Sequence, residues 1–163
     1  MSVVAVKITK EQISISADSI IMKGDLKRNN FKKLHSCRNI TVGGCGNVQE
    51  LSIFFEFINS HEPSSATSSD IQRFMKVFAE YKEQLTGDSK LENEYIIVFK
   101  QHVFEVDGFF VQEVTDYAAI GEGEVYALAA LVLGHTAEEA VKVACDLSCY
   151  ASEPIISYTV SLN

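Results

Sequence analysis

The stretch Ser2-Val3-Val4-Ala5-Val6-Lys7-Ile8-Thr9-Lys10-Glu11-Gln12-Ile13-Ser14-Ile15-Ser16-Ala17 decides the fold class. Residues 3–8 and 12–17 are patterned as strands, and Thr9-Lys10-Glu11 is too short a link for anything but a direct reversal. The two segments are therefore expected as neighbours in an antiparallel sheet. Further along, Asn39-Ile40-Thr41-Val42 forms another strand, running into Gly43-Gly44-Cys45-Gly46 after a basic loop from Lys23 to Lys33. Asn47 can cap a helix through residue 60, with Val48, Leu51, Phe54, Phe55 and Ile58 at helical spacing. The polar run 62–69 reads as a surface loop, and Asp70 as the cap of a second helix carrying Ile71, Phe74, Met75, Phe78, Tyr81 and Leu85 and stopping near Gly87.

Three strands follow over 94–100, 102–106 and 109–114, the last two joined by the hairpin signal Asp107-Gly108. Ala118-Ala119-Ile120 then leads into Gly121-Glu122-Gly123-Glu124, ahead of a small-residue helix from Tyr126 to Val132. Thr136-Ala137-Glu138-Glu139 has the form of a capping box for a fourth helix, and a last strand covers 155–160. Strands and helices grouped in this way do not alternate as a doubly wound parallel sheet requires. The predicted class is α+β, a four-layer αββα sandwich of two antiparallel sheets between helix pairs. A single domain over residues 1–163 is expected, with no internal repeat.

Composition narrows the function. The 163 residues are 47% hydrophobic, enough for a packed core, and the net charge is −8. Lys27-Arg28 and Lys32-Lys33 are the only basic clusters, which argues against nucleic acid as a partner. No apolar run is long enough to cross a bilayer, and the first residues lack the pattern of a signal peptide, so a cytoplasmic protein without a membrane partner is expected. Cys37, Cys45, Cys145 and Cys149 contain no Cys-x-x-Cys pair and read as reduced thiols, the last two on one helical face. His35, His61, His102 and His135 are scattered without zinc-ligand spacing, and no Gly-Lys-Ser/Thr follows the glycines at 43–46 to make a phosphate loop.

The order of elements, taken with particular residues, resembles the proteasome-like branch of the N-terminal nucleophile hydrolases, and within it the bacterial HslV peptidase subunits. The likeness runs through Ser2-Val3-Val4-Ala5-Val6, Ala17-Asp18, Phe31-Lys32-Lys33-Leu34, Val42-Gly43-Gly44-Cys45-Gly46, Ala119-Ile120-Gly121-Glu122-Gly123 and Tyr126-Ala127-Leu128-Ala129-Ala130. The resemblance implies that Ser2, exposed by loss of Met1, is the nucleophile and that its own α-amine is the base. It implies that Lys33 lowers the proton affinity of that pair, that Asp18 holds Lys33, and that the Gly46 N–H stabilises the oxyanion. It further implies a ring-forming homo-oligomer, a peptide or unfolded-protein substrate, an ATP-dependent unfoldase as partner, and no cofactor.

Two residues depart from the family pattern. Ser2 replaces the usual threonine, and Glu122 stands where a serine hydroxyl meets the amine. A carboxylate there either pairs with the ammonium and makes it a poorer base, or takes the proton itself if buried. Retention of Met1 would silence the site, because a peptide nitrogen is no base. The alternatives are a non-catalytic relative serving as a binding or assembly scaffold, and an amide hydrolase acting on a small molecule.

Overall fold

The computed structural model describes residues 2–162; Met1, whose removal the nucleophile reading requires, lies outside the described residues, as does Asn163. The opening hairpin is β1 (Val4–Ile8) and β2 (Gln12–Ala17), antiparallel with Val4 opposite Ala17. It sits at the centre of a sheet ordered β10-β1-β2-β11, where β10 is Tyr117–Ile120 and β11 is Ile156–Ser161. A second antiparallel sheet runs β5-β6-β7-β8-β9, from Leu34–Cys37 through Ile40–Cys45, Glu94–Phe99 and His102–Asp107 to Phe110–Val114. A short hairpin, β3 (Ile21–Lys23) with β4 (Leu26–Arg28), stands apart from both.

Helices cover the outer faces. The pair α1 (Val48–Ile58) and α2 (Ser68–Thr86) packs on the five-stranded sheet through Phe54, Phe57, Phe74 and Phe78, against Tyr95, Ile97 and Phe104. The aromatic stripes are thus core, with Phe54 ringed by Phe78 and Tyr95 at centroid distances of 4.5 Å. The pair α3 (Glu124–Val132) and α4 (Ala137–Leu147) packs on the four-stranded sheet through Ala127, Ala130, Ala140 and Ala144, whose small side chains let the helices lie close over Val3 and Ala5. Between the sheets lies a third apolar layer of Val4, Val6, Ile13, Ile15, Leu34, Ile96 and Val98. The extended run from Val3 into β1 therefore splits its side chains between two cores, Val4 and Val6 inward and Val3 and Ala5 toward the helices. The arrangement is the expected four-layer αββα sandwich.

Several local expectations are corrected. The basic loop holds β4 and the end of β3, because Gly24 at φ +60° closes a hairpin, and β5 follows it directly, Leu34 pairing with Gly43. The segment 117–120 is a strand, buried beside β1. Thr67 caps α2, its side chain accepting from the Asp70 N–H at 3.3 Å, so the helix starts inside the polar run. Gly43 and Gly44 are strand residues that face close neighbours on both sides of β6. Cys149 is exposed beyond the end of α4. Thr136 and Glu139 form the capping box as expected. No helix among the described residues is long and apolar enough to cross a membrane.

Candidate active site

Register brings the N-terminal residues to the ion pair. With Val4 opposite Ala17, the next residue of β2's extension, Asp18, lies against Val3: its N–H donates to the Val3 carbonyl at 3.2 Å, and Val3 N–H returns a bond to Asp18 Oδ1 at 2.9 Å. Asp18 is fully buried and accepts from four donors: Val3 N–H and Lys33 Nζ at Oδ1, and Ile20 and Ser152 N–H at Oδ2. The Lys33 ammonium sits 2.7 Å away and is 2% exposed as a residue. Composition alone would leave this lysine in solvent. Pairing of β5 with β6 carries it inward, the Lys33 carbonyl accepting from Gly44 N–H at 3.1 Å.

Ser2 is 3% exposed and its carbonyl accepts from Gly123 N–H at 3.1 Å. The turn from β10 into α3 is packed so tightly on it that a Cβ on Gly121, at φ +90°, would meet the Ser2 carbonyl oxygen at 2.5 Å. Ser2, Lys33 and Gly46 share a cavity of about 70 Å³ walled by Ile20, Val48 and Leu51. Gly46, at φ +126°, is the last residue before Asn47, whose side chain accepts from Gln49 and Glu50 N–H at 2.8 and 3.2 Å and caps α1. The cavity thus opens beside the N-terminal end of a helix, where backbone N–H groups and the helix dipole favour developing negative charge.

Glu122 is exposed, which removes the burial that its reading as a proton acceptor needs. It lines a wider cleft of about 460 Å³ that also takes in Cys45, Gly46, Glu92, Glu94, Asp107 and Glu124. Burial, followed by the Glu94 charge, raises the pKa of Glu124 above the usual glutamate value. Among the described residues no group of three or more His, Cys, Asp or Glu side chains is arranged to hold a metal ion. Ser2, Asp18, Lys33 and Gly46 are therefore gathered in one place, and Glu122 stands at the rim of the neighbouring cleft.

Sequence reasoning missed the residues that hold these walls. Asn93, fully buried, bonds both polar groups of Asn47's backbone, and Glu94 accepts from Gly121 N–H at 3.0 Å. Glu50, 2% exposed, accepts from Glu92 and Asn93 N–H and from the Tyr95 hydroxyl. The only signal in the chain was polar residues at the mouth of an apolar strand, which is commonplace.

A four-layer αββα sandwich built on two antiparallel sheets is the fold of the N-terminal nucleophile hydrolases. Within that class the likeness is to proteasome-like proteins. The chain is similar to the bacterial proteasome homologue BPH of Thiobacillus denitrificans, solved in complex with epoxomicin, at a TM-score of 0.88 and 20% identity over 99% of each chain. It is similar to the eukaryotic HslV of Trypanosoma brucei at a TM-score of 0.74 and 17% identity, covering 98% of this chain and 99% of that one. It is also similar to Anbu, the ancestral β-subunit, of Yersinia bercovieri at a TM-score of 0.76 and 14% identity, covering 98% of this chain and 81% of that one. No protein-family model and no curated protein sequence matches it.

Proposed function

We propose that the chain is a proteasome-like peptidase that hydrolyses peptide bonds with Ser2 as its nucleophile once Met1 has been removed. The observation that supports this reading is the buried Lys33–Asp18 pair, opening on the same small cavity as Ser2 and Gly46. In the acylation step Ser2 Oγ attacks the scissile carbonyl carbon and its proton passes to the Ser2 α-amine. The Lys33 charge favours the deprotonated forms of both groups, and Asp18, fixed by its backbone donors, keeps the ammonium in place. Gly46 N–H stabilises the oxyanion, a role worth about 3–4 kcal/mol where such a donor has been removed. Collapse of the intermediate breaks the C–N bond, and the leaving amine takes the proton from the Ser2 ammonium. Water then attacks the acyl ester, with the amine again as base, and frees Ser2.

The substrate in this reading is a peptide or unfolded protein, the assembly a ring of identical subunits, and an ATP-dependent unfoldase the partner that would feed it. A non-catalytic scaffold is the second reading, favoured by the exposed carboxylate of Glu122 where the family has a serine. A peptidyl epoxyketone separates the two, since its ketone reacts with a hydroxyl and its epoxide with a free amine. On protein whose intact mass shows loss of Met1, the expected result is one adduct at Ser2, absent in Ser2→Ala. Complete retention of Met1 in cells, or no Ser2-dependent adduct on the trimmed protein, would leave the scaffold.

A further inference from the structure

We infer that the Ser2 site cuts after small aliphatic residues, with Leu51 and Val48 setting the size limit, an inference that rests on the reading of Ser2 as nucleophile. Ser2 and Gly46 line one cavity. A carbonyl attacked by Ser2, with its oxygen turned to the Gly46 N–H, therefore lies beside that cavity. The substrate side chain nearest to it is the one on the acyl side of the scissile bond. How that side chain fits the adjoining pocket sets the cleavage preference of a peptidase.

The cavity is apolar and small. Apart from Ser2, Lys33 and two glycines, its walls are Ile20, Ile21, Met22, Val48 and Leu51. Its volume of about 70 Å³ is less than half of the roughly 150 Å³ that holds a benzene ring in an apolar protein cavity. A methyl or isopropyl group fits that space, whereas an isobutyl or benzyl group has to push the walls apart. The ionised group in the lining is the Lys33 ammonium, which is bonded to Asp18 at 2.7 Å. A charged substrate side chain would thus give up its water without meeting an unpaired opposite charge.

The walls have little room to yield. Val48 and Leu51 stand three residues apart in α1, on one face of the helix. Leu51 is 3% exposed, and a Cβ on Gly44 would meet its Cδ1 at 2.5 Å, so the leucine methyl already rests on the bare backbone of β6. Behind it lies the aromatic cluster of Phe54, Phe78 and Tyr95. Ile20 is fully buried, and its N–H is tied to Asp18 Oδ2 at 3.0 Å. Extra methylenes forced into surroundings this close-packed have to be met by rotamer strain or backbone shifts.

The test is a set of tripeptidyl epoxyketones identical except at the residue that carries the ketone, which is Ala, Val, Leu, Phe, Asp or Arg. The protein is first shown by mass to begin at Ser2, and kinact/KI is taken from the Ser2 adduct. The Ala and Val probes are expected to react at least about 10-fold faster than the other four, the ratio that one methylene commands in a hydrophobic pocket. In Leu51→Ala the Leu probe should gain about 10-fold or more on the Val probe, because the floor is lowered. Val48→Ala, at a position 38% exposed, is expected to shift that ratio in the same direction by a smaller factor.

A wild-type protein that reacts fastest with the Leu, Phe or charged probes would overturn the size limit while leaving Ser2 as nucleophile. So would an unchanged Leu-to-Val ratio in Leu51→Ala, or in Val48→Ala should Leu51→Ala fail to fold. Trimmed wild-type protein that takes none of the probes at Ser2 would overturn the nucleophile reading and the inference with it.

Discussion

Asp18 shows what a single residue can and cannot disclose in a linear chain. At the end of a strand an aspartate reads as a turn former, yet here it collects three backbone N–H groups and an ammonium with no exposure to solvent. Only the match of Lys33 to a family pattern suggested the pair, since burial of a lysine is not written in its neighbours. Glu105 is a second case, a carboxylate on β8 whose pKa is raised by burial first, and then by the charges of Glu124, Glu94 and Asp107. A glutamate with a folded-state pKa above its unfolded value binds more protons folded than unfolded in the interval between the two. Its contribution favours folding at low pH and is lost as pH rises through the folded value. Glu105→Gln is therefore expected to stabilise the protein at about pH 7 and to make little difference below about pH 4, near the unfolded glutamate value. Melting temperatures of the two proteins across that range check it, and a pH-independent difference would be incompatible with the electrostatic cause.

At the scale of elements the helices were the most legible, because the apolar stripe of α2 and the capping box of α4 are local signals. Strands β3, β4, β5 and β10 were not legible, being three or four residues long and defined by partners far away in the chain. Glycine is the usual turn residue, but Gly43 and Gly44 lie within β6. Their actual reason is close approach. A Cβ on Gly43 would meet Val4 Cγ1 at 2.6 Å, Leu34 Cδ2 at 2.8 Å and Ile15 Cδ1 at 3.2 Å, so both sheets close down on bare backbone. Gly43 has no left-handed φ to preserve, so Gly43→Ala isolates the steric contribution. It is expected to cost about 1–3 kcal/mol of unfolding free energy by overpacking. Urea titration measures the loss, and a neutral result would mean that the two sheets can part without penalty.

Across the whole molecule the layer order was readable, since each layer's hydrophobic period points to the face it buries, while the assembly of the site was not. Its residues come from positions 2, 18, 33 and 46, with Asn93 and the Ser152 N–H completing the frame. Contacts that far apart in sequence exist only when both sheets and the last strand are in place. Site and fold should accordingly be lost together on heating. Cys45 offers a way to watch that loss. It is 3% exposed, its thiol bonds the Ile120 carbonyl, and burial ahead of nearby charges pushes its pKa up to about 12. Very little thiolate is present near neutrality, so alkylation by an aqueous maleimide waits on a breach between β6 and β10. Cys149, out in water, supplies the unprotected comparison in the same molecule. Timed mass spectra are expected to show Cys149 modified first and Cys45 much later, with the delay shortened in Asp18→Asn. The buried sulfur then serves as a stopwatch for how often the floor between the two sheets comes apart.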